Sequence, residues 1–480
     1  MKCNIPLIKY LLPVVLMFLN GCKMMTPLPA PTSLQAPRTF LERMDSSSVG
    51  GMTIRNFFTD SYLVALLDTA LIRNPDLAVA QQRIAQARAD LQERSGALWP
   101  TVDAEISGGV RRFGEYTMDG VGNYDTNFSD NINPDQRMTN PLPDYFVGAR
   151  STWEADIWGK LRTRRKAAYL RFLATENGRQ LVQTTLVADI ARLYYELLTL
   201  DNQLEIIQRN AVLQQQALET IIIQKEGGRA NELAVRQFAA QLLNTQSLEI
   251  QIRQQILEIE TRINTLMGRF SQPIVRGNPI LDQKLPQSIG VGIPAEMLRR
   301  RPDVQQAELE LKANQEELQA ARLSFLPSLN ITAYTGLNAF RSAVLLNPGS
   351  LAFGLLGGLT APILNRQALR ANQNRAQARS LEALYSYNKT ILEAYQESAL
   401  LMGTIDNLKK ISALKTQETS ELQQGVSISN DLYLAGYASY LEVITAQRSV
   451  LSAELEQTTI RQREFSALID LYRSLGGGWE

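Results

Sequence analysis

Histidine is missing from all 480 residues, and cysteine occurs only as Cys3 and Cys22. Without imidazole there is no Ser-His-Asp triad, no Cys-His nucleophile and no His-ligated metal site. Two thiols cannot build a Cys-rich cluster either, so no metal or cofactor is expected. Aromatic residues make up only 7%, and 49 basic against 48 acidic side chains leave a net charge of +1. Nothing in that balance argues for binding nucleic acid. Setting aside Lys2 and Lys9 of the leader tips the remainder slightly acidic. What the chain does contain is Gln, Ala, Leu, Glu and Arg in quantity, the composition of long helices. Its length allows two or three ordinary domains or one long repetitive architecture.

The first segment is an address. Lys2 and Lys9 flank an apolar run from Leu11 to Leu19, too short to cross a bilayer as a helix. Residues 1–21 read as a signal peptide. The run ends in Leu19-Asn20-Gly21-Cys22, which resembles a bacterial lipobox, with Cys22 as the acylated first residue of the mature chain. Cys22 would have no disulfide partner after processing. An ordinary signal peptide that happens to contain a cysteine is the alternative. In lipoproteins of this kind, Lys23 rather than aspartate favours sorting to the outer membrane. Residues 22–60 then form a tether, with Pro27, Pro29, Pro31 and Pro37 keeping its first part extended.

The rest of the chain is one plan used twice. At an offset of 227, Asn74-Pro75-Asp76-Leu77 aligns with Arg301-Pro302-Asp303-Val304, Pro100 with Pro327 and Gly109 with Gly336. Further on the offset is 208, aligning Leu161-Arg162 with Leu369-Arg370, Gly228 with Gly436, Leu233 with Leu441 and Gly268 with Gly476. The difference falls in Gly114 to Leu142, a Gly/Asn/Asp-rich stretch expected to be a longer surface loop.

Each copy, 61–270 and 295–476, opens with a helix, Ser61 to Leu98 or Ala295 to Phe325, that stops at a proline. Two amphipathic strands follow, near 100–112 and 145–157 in the first copy and 327–338 and 350–362 in the second. Val102, Ala104, Ile106 and Val110 alternate with Asp103, Glu105 and Ser107, the period of a strand with two different faces. Helices over 159–226 and 366–434 are each roughly 100 Å long at 1.5 Å per residue. Glycine-marked reversals lead into return helices over 230–268 and 437–475. Leu193, Leu197, Leu200, Leu204, Ile207 and Ala211 form a heptad stripe, as do Ile252, Ile256, Ile259, Ile263 and Leu266, so both faces should pack on other helices. A linker over 271–294 joins the copies, and 477–480 is a tail.

Four strands cannot close a barrel, since single-chain barrels start at about eight. Three chains would supply twelve, with Asp103, Glu105, Arg150, Glu154, Asn330 and Thr332 facing a watery lumen and the apolar alternates facing lipid. The fold class expected is therefore mainly α with a transmembrane β part, a trimeric 12-stranded barrel continued by a helical one. A small soluble sheet capping a coiled coil is the alternative.

Taken together these motifs resemble the outer-membrane factor family of TolC-like efflux channels, in its lipoprotein branch. The resemblance is carried by Asn74-Pro75-Asp76-Leu77 and its repeat, Trp153 through Arg162, Leu298 through Val304, Phe325-Leu326-Pro327, Tyr437 through Val443, and Leu471 through Trp479. It implies a homotrimer in the outer membrane that does no chemistry. Drugs or other small toxic compounds would pass from an inner-membrane efflux pump, through a periplasmic adaptor, into the lumen. It implies that the reversals are the periplasmic tip where the adaptor docks, at Gly227, Gly228, Arg229, Leu233, Gly436, Tyr437 and Leu441. Gate candidates are Glu232, Asp431, Arg229 and Tyr437. Trp153, Trp158 and Tyr145 are open between a membrane-rim role and, for Trp158, a packed core. Rival readings are a type I protein-secretion channel, a non-conducting trimeric coiled-coil spacer, and a glycan hydrolase working with carboxylates alone.

Overall fold

The computed structural model describes residues 37, 39–40, 48–284, 290–364 and 366–479. The signal segment, Cys22 and most of the tether lie outside the described residues.

The first copy contains α1 (Ser61–Arg73), α2 (Pro75–Gly96), β1 (Thr101–Arg111), α3 (Met118–Thr126), β2 (Leu142–Ala155), α4 (Lys160–Glu226) and α5 (Glu232–Leu266). The second contains α6 (Pro294–Arg300), α7 (Pro302–Leu323), β3 (Ser328–Ala339), β4 (Leu351–Thr360), α8 (Arg366–Leu434) and α9 (Tyr440–Ser474). The opening helix expected over Ser61 to Leu98 is thus two helices. Proline forces its predecessor out of the helical region, so Asn74 adopts an extended backbone (φ −61°, ψ 126°). Its side chain then caps the second helix, accepting from the Leu77 N–H at 2.9 Å. The second copy breaks at the same place, with Arg301 at φ −71° and ψ 117°. The segment expected to be a plain loop after β1 carries the short helix α3. Asn127 pins it by exchanging two hydrogen bonds with the Met138 backbone, at 2.8 and 2.9 Å.

The four strands form one antiparallel sheet in the order β1-β2-β3-β4. Register places Val102, Ala104 and Ile106 opposite Ser151, Ala149 and Val147. Continuing across β3, that face gathers Ile331, Ala333 and Leu337, and on β4 Leu351, Phe353, Leu355 and Leu359. The other face carries Asp103, Glu105, Arg150, Glu154, Asn330 and Thr332. Alternation in the sequence is therefore segregation in space, because side chains on a strand switch faces at every residue. Val102, Ile106, Phe353 and Leu355 are exposed. Among the described residues, β1 and β4 are each paired on one side only.

Both long helices are continuous, each spanning roughly 100 Å by the α-helical rise. α4 packs on α2, α5, α7 and α9, and α8 on α7 and α9. The heptad stripe is inside, with Leu193, Leu197, Leu200 and Ile207 buried, as are Ile259 and Ile263. The largest apolar cluster joins this region to α1, to Ile274, Ile280 and Val291, to α8 and to the end of α9. Tyr195 stacks on Phe465 at 4.2 Å and Phe57 on Tyr472 at 4.0 Å. Asp60 ties the layers together: it caps α1 through the Tyr62 N–H and accepts from the Tyr194 hydroxyl (2.8 Å) and the Gln283 amide (2.9 Å). Among the described residues no helix is long and apolar enough to cross a membrane.

Candidate functional site

The reversals after α4 and α8 are built alike. Gly228 (φ +70°) and Gly436 (φ +82°) occupy the left-handed region that side-chain-bearing residues avoid. Past the first, the Arg229 N–H reaches back to the Gln224 carbonyl (2.8 Å) and the Gly228 N–H to Lys225 (3.0 Å). Past the second, Tyr437 donates to Leu432 (2.8 Å) and Gly436 to Tyr433 (3.0 Å). This double closure satisfies carbonyls that a helix end leaves unpaired. The return helices are capped in turn. The Asn231 side chain accepts from the Ala234 N–H at 2.9 Å, and the Glu442 carboxylate accepts from the Ser439 N–H.

The two reversals lie at one end of the helices. Ile221, Ala234 and Phe238 of the first hairpin share a buried cluster with Val443 and Ile444 of the second, and Ala230, Tyr433 and Tyr440 pack against it. The Tyr433 hydroxyl donates to the Gln224 side-chain oxygen, a direct tie between the hairpins. Of the expected tip residues, Gly227, Arg229, Leu233, Asp431 and Leu441 are exposed, and Tyr437 is 85% exposed. Around Gly228 and Gly436 nothing lies within 4 Å of where a Cβ would stand. Glu232 is engaged within its own hairpin, 2.5 Å from Lys225 and 2.7 Å from Arg236. The Lys225 hydrogen bond and charge, with Arg236 adding to them, hold its carboxyl below the usual glutamate range.

Sequence reasoning missed two tip features. Tyr433 continues a seven-residue step from Thr419 and Val426 on α8, and that spacing is the signal that points it inward. Glu454 is only 7% exposed on α9. It is paired with Arg209 (3.0 Å) on α4 and accepts from Gln423 (2.8 Å) on α8. Such pairing is what permits a buried carboxylate. A cavity of about 540 Å³ lies between the hairpins, bordered by Glu454, Gln214, Phe238 and Tyr433.

At the opposite end, the Trp153-to-Arg162 motif forms the joint between sheet and helix. The Asp156 carboxylate accepts from the Leu161 (3.0 Å) and Arg162 (2.9 Å) N–H groups and so caps α4 from outside. The Trp153 indole donates to the Leu98 carbonyl (3.0 Å) and the Trp158 indole to Pro327 of the second copy (2.6 Å). Trp158 is half exposed in the single chain. Among the described residues no group of His, Cys, Asp and Glu is arranged to hold a metal ion.

Residues 66–269 and 293–477 match the family described as outer membrane efflux protein, which accounts for both copies. The chain belongs to that family. Similar proteins include the pyoverdine export outer membrane protein OpmQ of Pseudomonas aeruginosa, 29% identical over 95% of this chain and 94% of the relative. The solvent efflux pump outer membrane protein SrpC of Pseudomonas putida is 27% identical over 88% and 87%. The probable outer membrane lipoprotein SilC of Salmonella typhimurium is 25% identical over 88% of each chain. In fold, the chain is similar to the outer-membrane channel OprN (TM-score 0.82, 22% identity, covering 95% and 100%). It is also similar to the open-state MtrE outer membrane channel of Neisseria gonorrhoeae (TM-score 0.81, 22% identity, covering 96% and 99%). As an outer membrane efflux protein, the chain is mostly helical with one four-stranded antiparallel sheet and an internal repeat.

Proposed function

We propose that three copies of this chain close into the outer-membrane exit channel of a tripartite efflux system. The observation that carries the reading is the open sheet. Among the described residues β1 and β4 present unpaired edges, and one face from Val102 to Leu359 exposes apolar side chains while the other carries the charged ones. In a bilayer every backbone group must find a partner, so such a sheet is satisfied only by other copies of itself. Three sheets give twelve strands around a lumen lined by Asp103, Glu105, Arg150 and Glu154. The long helices then continue the conduit into the periplasm for roughly 100 Å. Conduction is passive, and a pump and adaptor supply cargo and direction. Relatives of similar identity are named for cargoes as different as pyoverdine and organic solvents, which fits selection by the pump rather than by the channel.

In the same reading the paired reversals are the adaptor-facing tip. Gly228 and Gly436 leave open backbone there, and Arg229, Leu233, Tyr437 and Leu441 are exposed contacts. Arg229, Asp431, Glu232 and Tyr437 are the gate candidates. Cys22, outside the described residues, is the acylated anchor, a reading supported by the lipoprotein relative. Mass measurement and electron microscopy of detergent-extracted protein test the assembly, which should be a trimer longer than about 100 Å. Reconstitution in planar bilayers tests the conduit. A trimer that never passes current, even with altered tip residues, would identify a spacer instead.

A further inference from the structure

The polar face of the sheet holds one organised cluster that the exit-channel reading does not use. Phe146, on β2, is 5% exposed although it stands on the face that carries Asp103, Glu105 and Arg150. It lies flat because glycine occupies the wall beneath it. A Cβ at Gly148 would come within 2.8 Å of the ring, and one at Gly336 on β3 within 3.0 Å. Tyr334, the next ring along, lies over Gly354 of β4, where a Cβ would approach to 2.4 Å. The two rings meet edge to face with centroids 6.1 Å apart. Above both sits the Arg150 guanidinium, 5.1 Å from the Phe146 centroid and 6.0 Å from that of Tyr334. A cation placed over ring faces is held by their quadrupoles. The Glu105 carboxylate ion-pairs with the Arg150 Nε, and Asp103 stands directly across the ladder from Arg150.

The remaining charges of this face are already matched elsewhere. Arg111 faces Asp144 at 3.7 Å, and Glu154 is 2.5 Å from Lys160. Arg150 is therefore the cation that faces Asp103 and Glu105, and three residues from three strands hold it: Glu105 of β1, Phe146 of β2 and Tyr334 of β3.

We propose that Arg150 sets the ion preference of the barrel lumen. Fixed by Phe146, Tyr334 and Glu105, it offsets the Asp103 and Glu105 carboxylates, and in a trimer it does so as a ring of three. The inference rests on the trimeric-pore reading. Removing the guanidinium leaves Asp103 and Glu105 of each chain facing the lumen without a matching cation, which would draw cations and repel anions.

The test is the reversal potential of purified full-length trimers in a planar bilayer under a KCl gradient. Arg150→Gln should raise the potassium-to-chloride permeability ratio at least about threefold near 0.1 M salt. Glu105→Gln should shift it the opposite way, and Arg150→Lys should stay close to the parent, which also shows that the site tolerates substitution. Both shifts should shrink at 1 M salt, where the screening length falls from about 10 Å to about 3 Å. A purely structural role for Arg150 would not produce that salt dependence. Conducting trimers whose reversal potential ignores both Arg150→Gln and Glu105→Gln would overturn the inference and leave the channel intact. Parent protein that never conducts would overturn the pore reading, and this inference with it.

Discussion

The side-chain amide of Asn74 donates to the Leu266 carbonyl at 2.8 Å, tying the start of α2 to the end of α5 across 192 residues. Its counterpart in the second copy keeps the contact and changes the chemistry: Arg301 donates to the Ser474 carbonyl at 2.9 Å. Both pairs obey the two sequence offsets, so one tertiary clamp has been duplicated with the fold. Arg301 does more than Asn74, forking onto Asp303 (2.7 and 3.0 Å) and reaching Glu397 at 2.8 Å.

Asymmetric costs follow from that difference. Asn74→Ala removes a helix cap and orphans one carbonyl, which should destabilise the protein by about 2 kcal/mol. Arg301→Ala strands the Asp303 carboxylate, leaves Glu397 to Arg473 alone and removes the bond to the Ser474 carbonyl, and should cost more, about 3 kcal/mol or above. Arg301→Lys should fall between Arg and Ala, because an ammonium cannot fork. Denaturant midpoints of the detergent-solubilised protein would rank the three. Equal losses for Asn74→Ala and Arg301→Ala would mean that the carboxylates around Arg301 carry no weight.

Much of this architecture is legible in the sequence because it is periodic. Strand faces follow from the alternation at Val102 to Val110, and the tip from glycines recurring at one offset. Less visible is what depends on distant partners. Asn-Pro-Asp serves as a repeat landmark in the sequence, and only the Leu266 contact reveals Asn74 as a clamp. Glu454 carries the signature of a solvated helical acid, and its burial is decided by Arg209 from 245 residues away. Phe146 stands on a polar strand face for reasons that lie in Gly148 and Gly336, on two different strands. The helix α3 has little apolar periodicity to announce it. Asn127 and Arg341, which donates to the Arg137 carbonyl at 2.7 Å, hold its loop in place.

At the tip, bulk and fold can be separated. Since no atom crowds a Cβ at Gly228 or Gly436, replacement there costs only the left-handed backbone, about 1–2 kcal/mol, and that cost stays local. Gly228→Val and Gly436→Val should leave trimers intact while weakening adaptor coupling and lowering drug resistance. Gly228→Asn, which tolerates this conformation better, should be milder in both respects. Full resistance in the valine variants would remove these glycines from the docking surface.

The Lys225–Glu232–Arg236 bridge gives the first reversal a defined pH response. Its folded carboxyl titrates below the ordinary glutamate range, so its stabilising effect is complete above that range and is lost as pH falls through the lowered value. Amide exchange over 225–236, corrected for intrinsic pH dependence, should stay constant from about pH 5 to 8 and quicken only under stronger acid. Glu232→Gln should abolish the acid step. A step near neutrality would point to a different group, and the absence of histidine leaves few candidates.

Anchor and barrel make separate demands on the membrane, and Cys22→Ser distinguishes them. The variant should lose the mass of its acyl chains, because serine offers no thiol for attachment. It should nevertheless remain a detergent-requiring trimer, since the apolar stripe from Val102 through Phe353 to Leu359 and the free edges of β1 and β4 are untouched. Acyl chains can hold a protein at the bilayer surface, but they leave strand edges unpaired, whereas a closed barrel satisfies every strand edge within the lipid. Sedimentation of membranes, followed by mass measurement of the extracted protein, reads both properties in one preparation. If Cys22→Ser protein were a stable monomer in plain buffer, the sheet would have to hide its apolar face within one chain, and three-chain closure would be wrong.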